Sequence, residues 1–237
     1  MAQEIKQITE YCSRDVVDCF LERDPETYRK YRELYEQAGD YGRTVALRVM
    51  DNYREITGVQ PDFSKTPGKD GEDFFEFART LGIKKIYFWG TDGKGNGIYA
   101  NLAEYDEKKS SIGINLGLIR DLQPLLYTCC GVSGELLKKI ALAHELFHHL
   151  EEQYYTETGM FLEEKSSQEN SEEGKAAVQP VRRLRELAAA AFAETILNLP
   201  FPARIIDILR LCRERGAEKV LERIRSIAQI WGDTPRG

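Results

Sequence analysis

The chain has 237 residues, 42% of them hydrophobic and 30% charged, with a formal net charge of −6. That length buries a real core, in one domain or in one with a small appendage, and the negative balance argues against direct, electrostatic binding of nucleic acid. No apolar run reaches the roughly 18 residues of a membrane span, and the start Met-Ala-Gln-Glu-Ile-Lys lacks the apolar stretch of a secretory signal, so the expectation is a cytoplasmic protein with no membrane partner.

The first third reads as helical. Asp24, Pro25 and Glu26 form a helix start, with a capping acid, proline in the first helical position and a second acid in the first turn. A helix over Tyr28 to Gln37 is expected to stop at Gly39, and a second one over Thr44 to Thr57 to stop at Gly58. Residues 60–70 read as a loop. A short helix over Asp73 to Leu81 is closed by Gly82.

The period then changes. Strands are expected over residues 85–89, 98–105 and 111–116. The glycine-rich stretch 90–97 reads as a hairpin loop, because it lacks the ending and the following helix of a phosphate loop. Together these predict an antiparallel meander. Helix resumes after Pro124, and Ser133 can cap a long helix over about 134–155. Residues 156–176 are polar and acidic and read as a mobile insert. A second long helix covers about 178–198 and stops before Pro200 and Pro202. Two amphipathic helices follow, at about 203–214 and 217–231. The predicted class is therefore α+β and mainly helical, with a small antiparallel sheet. Three regions are expected: a helical N-terminal region (1–80), a central core (81–200) and C-terminal helices (201–237) that pack on that core.

Five cysteines occur, at 12, 19, 129, 130 and 212. Their number is odd and their spacing fits no cysteine metal module, so free thiols are expected.

The chemistry concentrates in Ile140-Ala-Leu-Ala-His144-Glu145-Leu-Phe147-His148-His149-Leu150, which contains all three histidines of the chain. The pattern H-E-x-x-H on a helix puts His144 and His148 on one face, one turn apart, where they can hold one metal ion. Glu145 is rotated to the side, where it can act as a base on water. His149 is turned about 100° from His148 and reads as a bystander. Two histidines do not complete a zinc site, so a third donor is needed, a carboxylate or a cysteine. The alanine-rich helix offers Glu186, because small residues at 188–191 and 193 let it approach the motif helix closely. Glu151, Glu152 and Glu194 are alternatives, and Glu194 also suits a partner behind a ligand histidine. Tyr154 and Tyr155 are further polar groups at the end of the motif helix.

Three features occur together: a strand ending Ile112-Gly-Ile114-Asn115, the H-E-x-x-H helix, and a helix Glu186-x-x-Ala189-x-x-Phe192-Ala193 followed by Leu197-x-x-Pro200. Over residues 85–200 this resembles the ImmA/IrrE-type zinc peptidases, a gluzincin-like group often found with phage or mobile-element repressors. The resemblance implies a zincin-like core binding Zn2+ through His144, His148 and Glu186, with Glu145 as catalytic base. It implies a protein or peptide substrate such as a transcriptional regulator. Two positions depart from the family pattern. Phe147 stands where a glycine or alanine is usual, and the 38 residues from His148 to Glu186 make a longer gap than usual. The alternative function is a non-catalytic zinc-containing regulatory or interaction protein.

Overall fold

The computed structural model describes residues 2–22, 25–63, 73–90, 101–154 and 178–231. Three strands form one sheet: β1 (Lys85–Trp89), β2 (Ala103–Asp106) and β3 (Ser111–Asn115). β3 lies in the middle, antiparallel to β2 and parallel to β1. The expected meander is therefore corrected to a mixed sheet. In a meander β2 would pair with both neighbours. Here β3, buried along its whole length, takes the centre. Gly113 makes that possible. It faces Tyr87 in the parallel register, and a Cβ there would meet the Tyr87 ring at 2.7 Å and collide with the Trp89 ring. Since β1 and β2 are not neighbours, the 90–97 stretch does not join a hairpin. Residues 91–100, including the expected start of the second strand, lie outside the described residues.

The helices before the sheet are α1 (Ala2–Tyr11), α2 (Arg14–Glu22), α3 (Pro25–Thr57) and α4 (Phe74–Thr80). The start at Pro25 and the Asp73 cap, whose carboxylate accepts from the Phe75 N–H at 2.9 Å, agree with the local signals. α3 does not. It is one helix of 33 residues where two were expected, running straight through Gly39 and Gly42. These glycines do not end the helix, because Gly42 lies against the backbone of Ala188. A Cβ there would sit inside the Ala188 carbonyl oxygen and 2.8 Å from its carbonyl carbon.

After the sheet come α5 (Leu116–Cys130), α6 (Gly134–Tyr154), α7 (Val178–Ile196), α8 (Ile205–Arg215) and α9 (Ala217–Trp231). α5 starts directly from β3 instead of after Pro124. The Asn115 side chain caps it, accepting from the Leu118 N–H at 3.1 Å. Buried Ile119, Leu122 and Leu126 then hold the helix together across Pro124. The acidic insert, 156–176, lies outside the described residues.

The result is an α+β fold, mainly helical, with a small mixed sheet. One hydrophobic cluster runs from Ile5 and Ile8 in α1 to Ile224 and Ala228 in α9 and includes the inner faces of α5, α6, α7 and the sheet. α7 lies between α3 and α6, and β2 and β3 rest on α6. No helix among the described residues is long and apolar enough to cross a membrane.

The two glycines of α3 predict opposite outcomes. Gly42→Ala forces the α3–α7 contact apart and costs about 2–3 kcal/mol. At Gly39 a Cβ meets only the flexible ends of Arg43, at 3.4 Å, and Arg14, at 3.7 Å. Gly39→Ala therefore stabilises the helix by about 0.5–1 kcal/mol. Urea denaturation of the two variants measures both signs.

Candidate metal centre

α6 begins as its sequence predicts, with the Ser133 hydroxyl accepting from the Leu136 N–H at 3.1 Å. Apolar residues cover most of its circumference: Leu142, Ala143, Leu146 and Phe147 are fully buried. Phe147 packs edge-on against Tyr41 of α3, with ring centroids 6.0 Å apart, and against Phe192 of α7 at 5.8 Å. The bulky residue that departs from the family pattern is thus a core contact between three helices. His144, Glu145 and His148 occupy the open side.

α7 presents Glu186 to that side. Ala188, Ala189, Ala190 and Ala193 are all buried, so the helix axis can lie close to α6. Glu186 Oε2 is 2.9 Å from His144 Nε2, and Glu186 Oε1 is 3.9 Å from His148 Nε2. One donor atom from each of His144, His148 and Glu186 lies within 4.8 Å of the other two. In a tetrahedral zinc site with bonds of about 2 Å, donors stand about 3.3 Å apart. The three groups fit such an ion after small rotations. Among the described residues no cysteine joins this group: Cys12, Cys19 and Cys212 are buried elsewhere, and Cys130 is half-buried.

Charge is tuned by burial. Desolvation works against a charge on His144, but the bonded Glu186 carboxylate outweighs it and raises the imidazole pKa. Burial also raises the carboxyl of Glu145, with His144 and His148 pulling the other way.

The other acids have different places. Glu151 is 3% exposed; its Oε2 is 2.7 Å from Arg185 Nε and 3.9 Å from His148 Nδ1. It stands behind His148 and does not belong to the donor group. Glu194 is not a partner of His144 or His148, which corrects that expectation. It is ion-paired with Arg14 of α2 and accepts from the Ala203 N–H at 2.9 Å, so it ties α7 to α2 and to the approach to α8. The side chains of Glu152 and Tyr154, and all of Tyr155, lie outside the described residues. His149 is fully buried and away from the donor group, with both ring nitrogens bonded to protein.

The donor group opens on a cavity of about 490 Å³. β2 forms one wall, and Leu122 of α5 and Ile140 of α6 supply apolar lining. The facing wall holds Arg204, Asp207 and Arg210, from α8 and its start. Sequence reasoning missed this wall, because α8 carries only an ordinary amphipathic pattern. Arg204 is held by buried Asp18 of α2 at 2.7 Å. Burial pushes the Asp18 carboxyl up against the pull of that guanidinium.

Removing Arg185 strands the buried Glu151 carboxylate next to His148. Arg185→Leu is expected to cost about 2–4 kcal/mol, and replacing Glu151 with leucine as well recovers most of it; chemical denaturation of the two single variants and the double variant measures the pair. Compared with known proteins, the chain matches no protein-family model, no curated protein and no solved structure.

Proposed function

We propose that this chain is a zinc-dependent peptidase of the ImmA/IrrE type that hydrolyses a peptide bond in a partner protein. One observation carries the reading. Two helices bring His144, His148 and Glu186 into one donor group, with Glu145 beside it on the same cavity wall. A sealed structural zinc takes four protein donors, whereas a catalytic one takes three and keeps a position open. Among the described residues the group has three members and faces the cavity.

Zinc held there would supply Lewis acidity, polarising the scissile carbonyl and making the attacking water easier to deprotonate. Glu145 accepts a proton from the water as its oxygen bonds to the carbonyl carbon. It then delivers that proton to the leaving nitrogen as the C–N bond breaks. β2 supports the substrate. It is an edge strand, and the Leu102 carbonyl accepts from the Asn115 N–H at 2.9 Å. Backbone groups alternate in direction along a strand, so those of Ala103 point the other way, toward the side that borders the cavity. An extended peptide pairs there, with its carbonyl carried past the donor group. That arrangement suits one exposed segment of a folded partner. A transcriptional regulator is the partner class the family resemblance implies, and the cytoplasm is the compartment in which the two would meet.

Elemental analysis of protein purified without a histidine tag is expected to find about one zinc per chain. His144→Ala and Glu186→Ala lose it. Glu145→Gln keeps the zinc, and hydrolysis falls by about 10²- to 10⁴-fold. A Glu145→Gln variant as fast as the parent removes the base assignment. Zinc without hydrolysis of any peptide favours the non-catalytic regulatory reading, and no zinc in metal-replete protein ends both.

A further inference from the structure

The donor group occupies one side of the cavity, and the wall across from it carries two guanidinium groups. Arg204 stands at the start of α8 and Arg210 further along it, with Asp207 between them. Steps of three residues stay on neighbouring parts of one helix face, so all three border the same space. A guanidinium has several N–H donors and no acceptor, so one drawn into a cavity wall is satisfied only by acceptors brought to it.

Arg204 is held from behind. Its Nη1 donates to Asp18 Oδ1 at 2.7 Å, and the Asp18 side chain, only 7% exposed, comes from α2. Among the described residues that is the only protein partner of the Arg204 guanidinium, whose remaining N–H groups border the cavity. Arg210 meets Glu214, one turn on, through Nε at 3.5 Å. Its terminal amino groups have no protein partner among the described residues. The acids of the cavity do not occupy these donors. Glu186 is bonded to His144, and the Glu104 carboxylate accepts from the Tyr87 hydroxyl at 3.2 Å. Asp207 is exposed and, among the described residues, forms no ion pair with either arginine. Two charged forks, one of them anchored, thus face a space of about 490 Å³ beside the donor group.

We propose that Arg204 and Arg210 form a carboxylate subsite that selects peptides with an aspartate or glutamate side chain close to the bond that is cut. This names the substrate class of the peptidase reading and rests on it. A peptide that fills the cavity beside the donor group has β2 on one side and α8 on the other, so it meets both guanidiniums. A guanidinium fork matches the two oxygens of a carboxylate and binds them through charge-assisted hydrogen bonds, whereas a side-chain amide offers one weaker acceptor. Anchoring by Asp18 takes from Arg204 much of the rotational freedom that a long side chain otherwise loses on binding. The apolar lining from Leu122 and Ile140 lowers the local dielectric, in which such a bond is stronger than in water.

Two measurements on the zinc-loaded full-length chain test this. The first needs no activity. The chain, labelled with nitrogen-15, is titrated with N-acetyl-glutamate α-amide and, separately, with N-acetyl-glutamine α-amide. The arginine Nε–H signals of Arg204 and Arg210 are expected to shift with the first probe and not with the second. In Arg210→Gln the response of Arg204 is much weaker. The second measurement is kinetic, using the peptide that the parent cuts fastest from a defined synthetic mixture, capped at both ends so that only side chains carry carboxylates. Each residue within two places of the cut is replaced in turn by glutamate and by glutamine. At one position kcat/KM for glutamate exceeds that for glutamine by about 10- to 100-fold. Arg210→Gln brings that ratio close to one, and Arg210→Glu makes lysine the preferred residue there, with zinc content unchanged in both. A purely structural role for Arg210 would slow all the peptides alike. The proposal is overturned by arginine signals that respond equally to the two probes, by a ratio near one at every position in the parent, by a preference that survives Arg210→Gln, or by one that appears only when the peptide ends in a free carboxylate. If the zinc-loaded parent cuts none of the peptides, the peptidase reading fails on its own. The NMR arm then still decides whether the two arginines bind a carboxylate.

Discussion

The close approach of α7 to its two neighbours is the constraint on which the site depends. A glutamate side chain reaches only a few ångströms, so Glu186 meets the two histidines only if the backbones of α6 and α7 lie near each other. Alanines at 188, 189, 190 and 193 remove side-chain bulk from α7, and Gly42 removes it from α3 where that helix touches the Ala188 backbone. Phe147 and Phe192 fill the space where the helices diverge. A seam of small residues bounded by aromatics has one well-filled depth, because larger side chains overpack it and smaller ones leave a cavity. The donor geometry follows from that depth more than from any bond between the donors themselves.

Ion pairs between elements then fix how those elements are rotated and aligned. Arg185 meets Glu151 between α7 and α6, one residue from Glu186 on one side and three from His148 on the other. Arg204 meets Asp18 between the start of α8 and α2. Arg14 meets Glu194 between α2 and α7. Burying the carboxylates of the first two pairs, Glu151 and Asp18, costs desolvation free energy that the attraction offsets only with good geometry, so those two pairs contribute little net stability and penalise every misaligned arrangement heavily. All three lie around the cavity or behind its walls. Residues from both ends of the chain thus help to shape the cavity onto which the donor group of His144, His148 and Glu186 opens.

How much of this was legible in the sequence follows the range of the interaction. That His144 and His148 share one face was legible because helical spacing is local, and the nearness of Glu186 because an alanine run signals a close helix wherever it occurs. The cap at Ser133 was legible for the same reason. Strand order was not, since alternation marks a strand without naming its neighbour, and only the contact of Gly113 with the Tyr87 and Trp89 rings shows why β3 sits in the middle. Gly39 and Gly42 read locally as the end of a helix, whereas Gly42 answers to Ala188, far along the chain. Pro124 misled similarly: a cap at Asn115 and a buried apolar stripe outweigh one missing hydrogen bond. The wall from Arg204 to Arg210 left no local trace, because its residues are ordinary for an amphipathic helix and matter only through what they face.

The long separation between His148 and Glu186 has little bearing on whether they meet. Closing a flexible connection costs only about 0.6 kcal/mol for each doubling of its length, so residues between α6 and α7 can accumulate at small thermodynamic cost. What decides the meeting is whether the two helices are held independently of the segment that joins them, and they are. The Arg185–Glu151 pair bridges them at the level of the ligands, the Phe147–Phe192 contact joins them deeper in the core, and α3 presses on α7 from the far side. The separation of 38 residues between His148 and Glu186 is therefore no obstacle to their meeting.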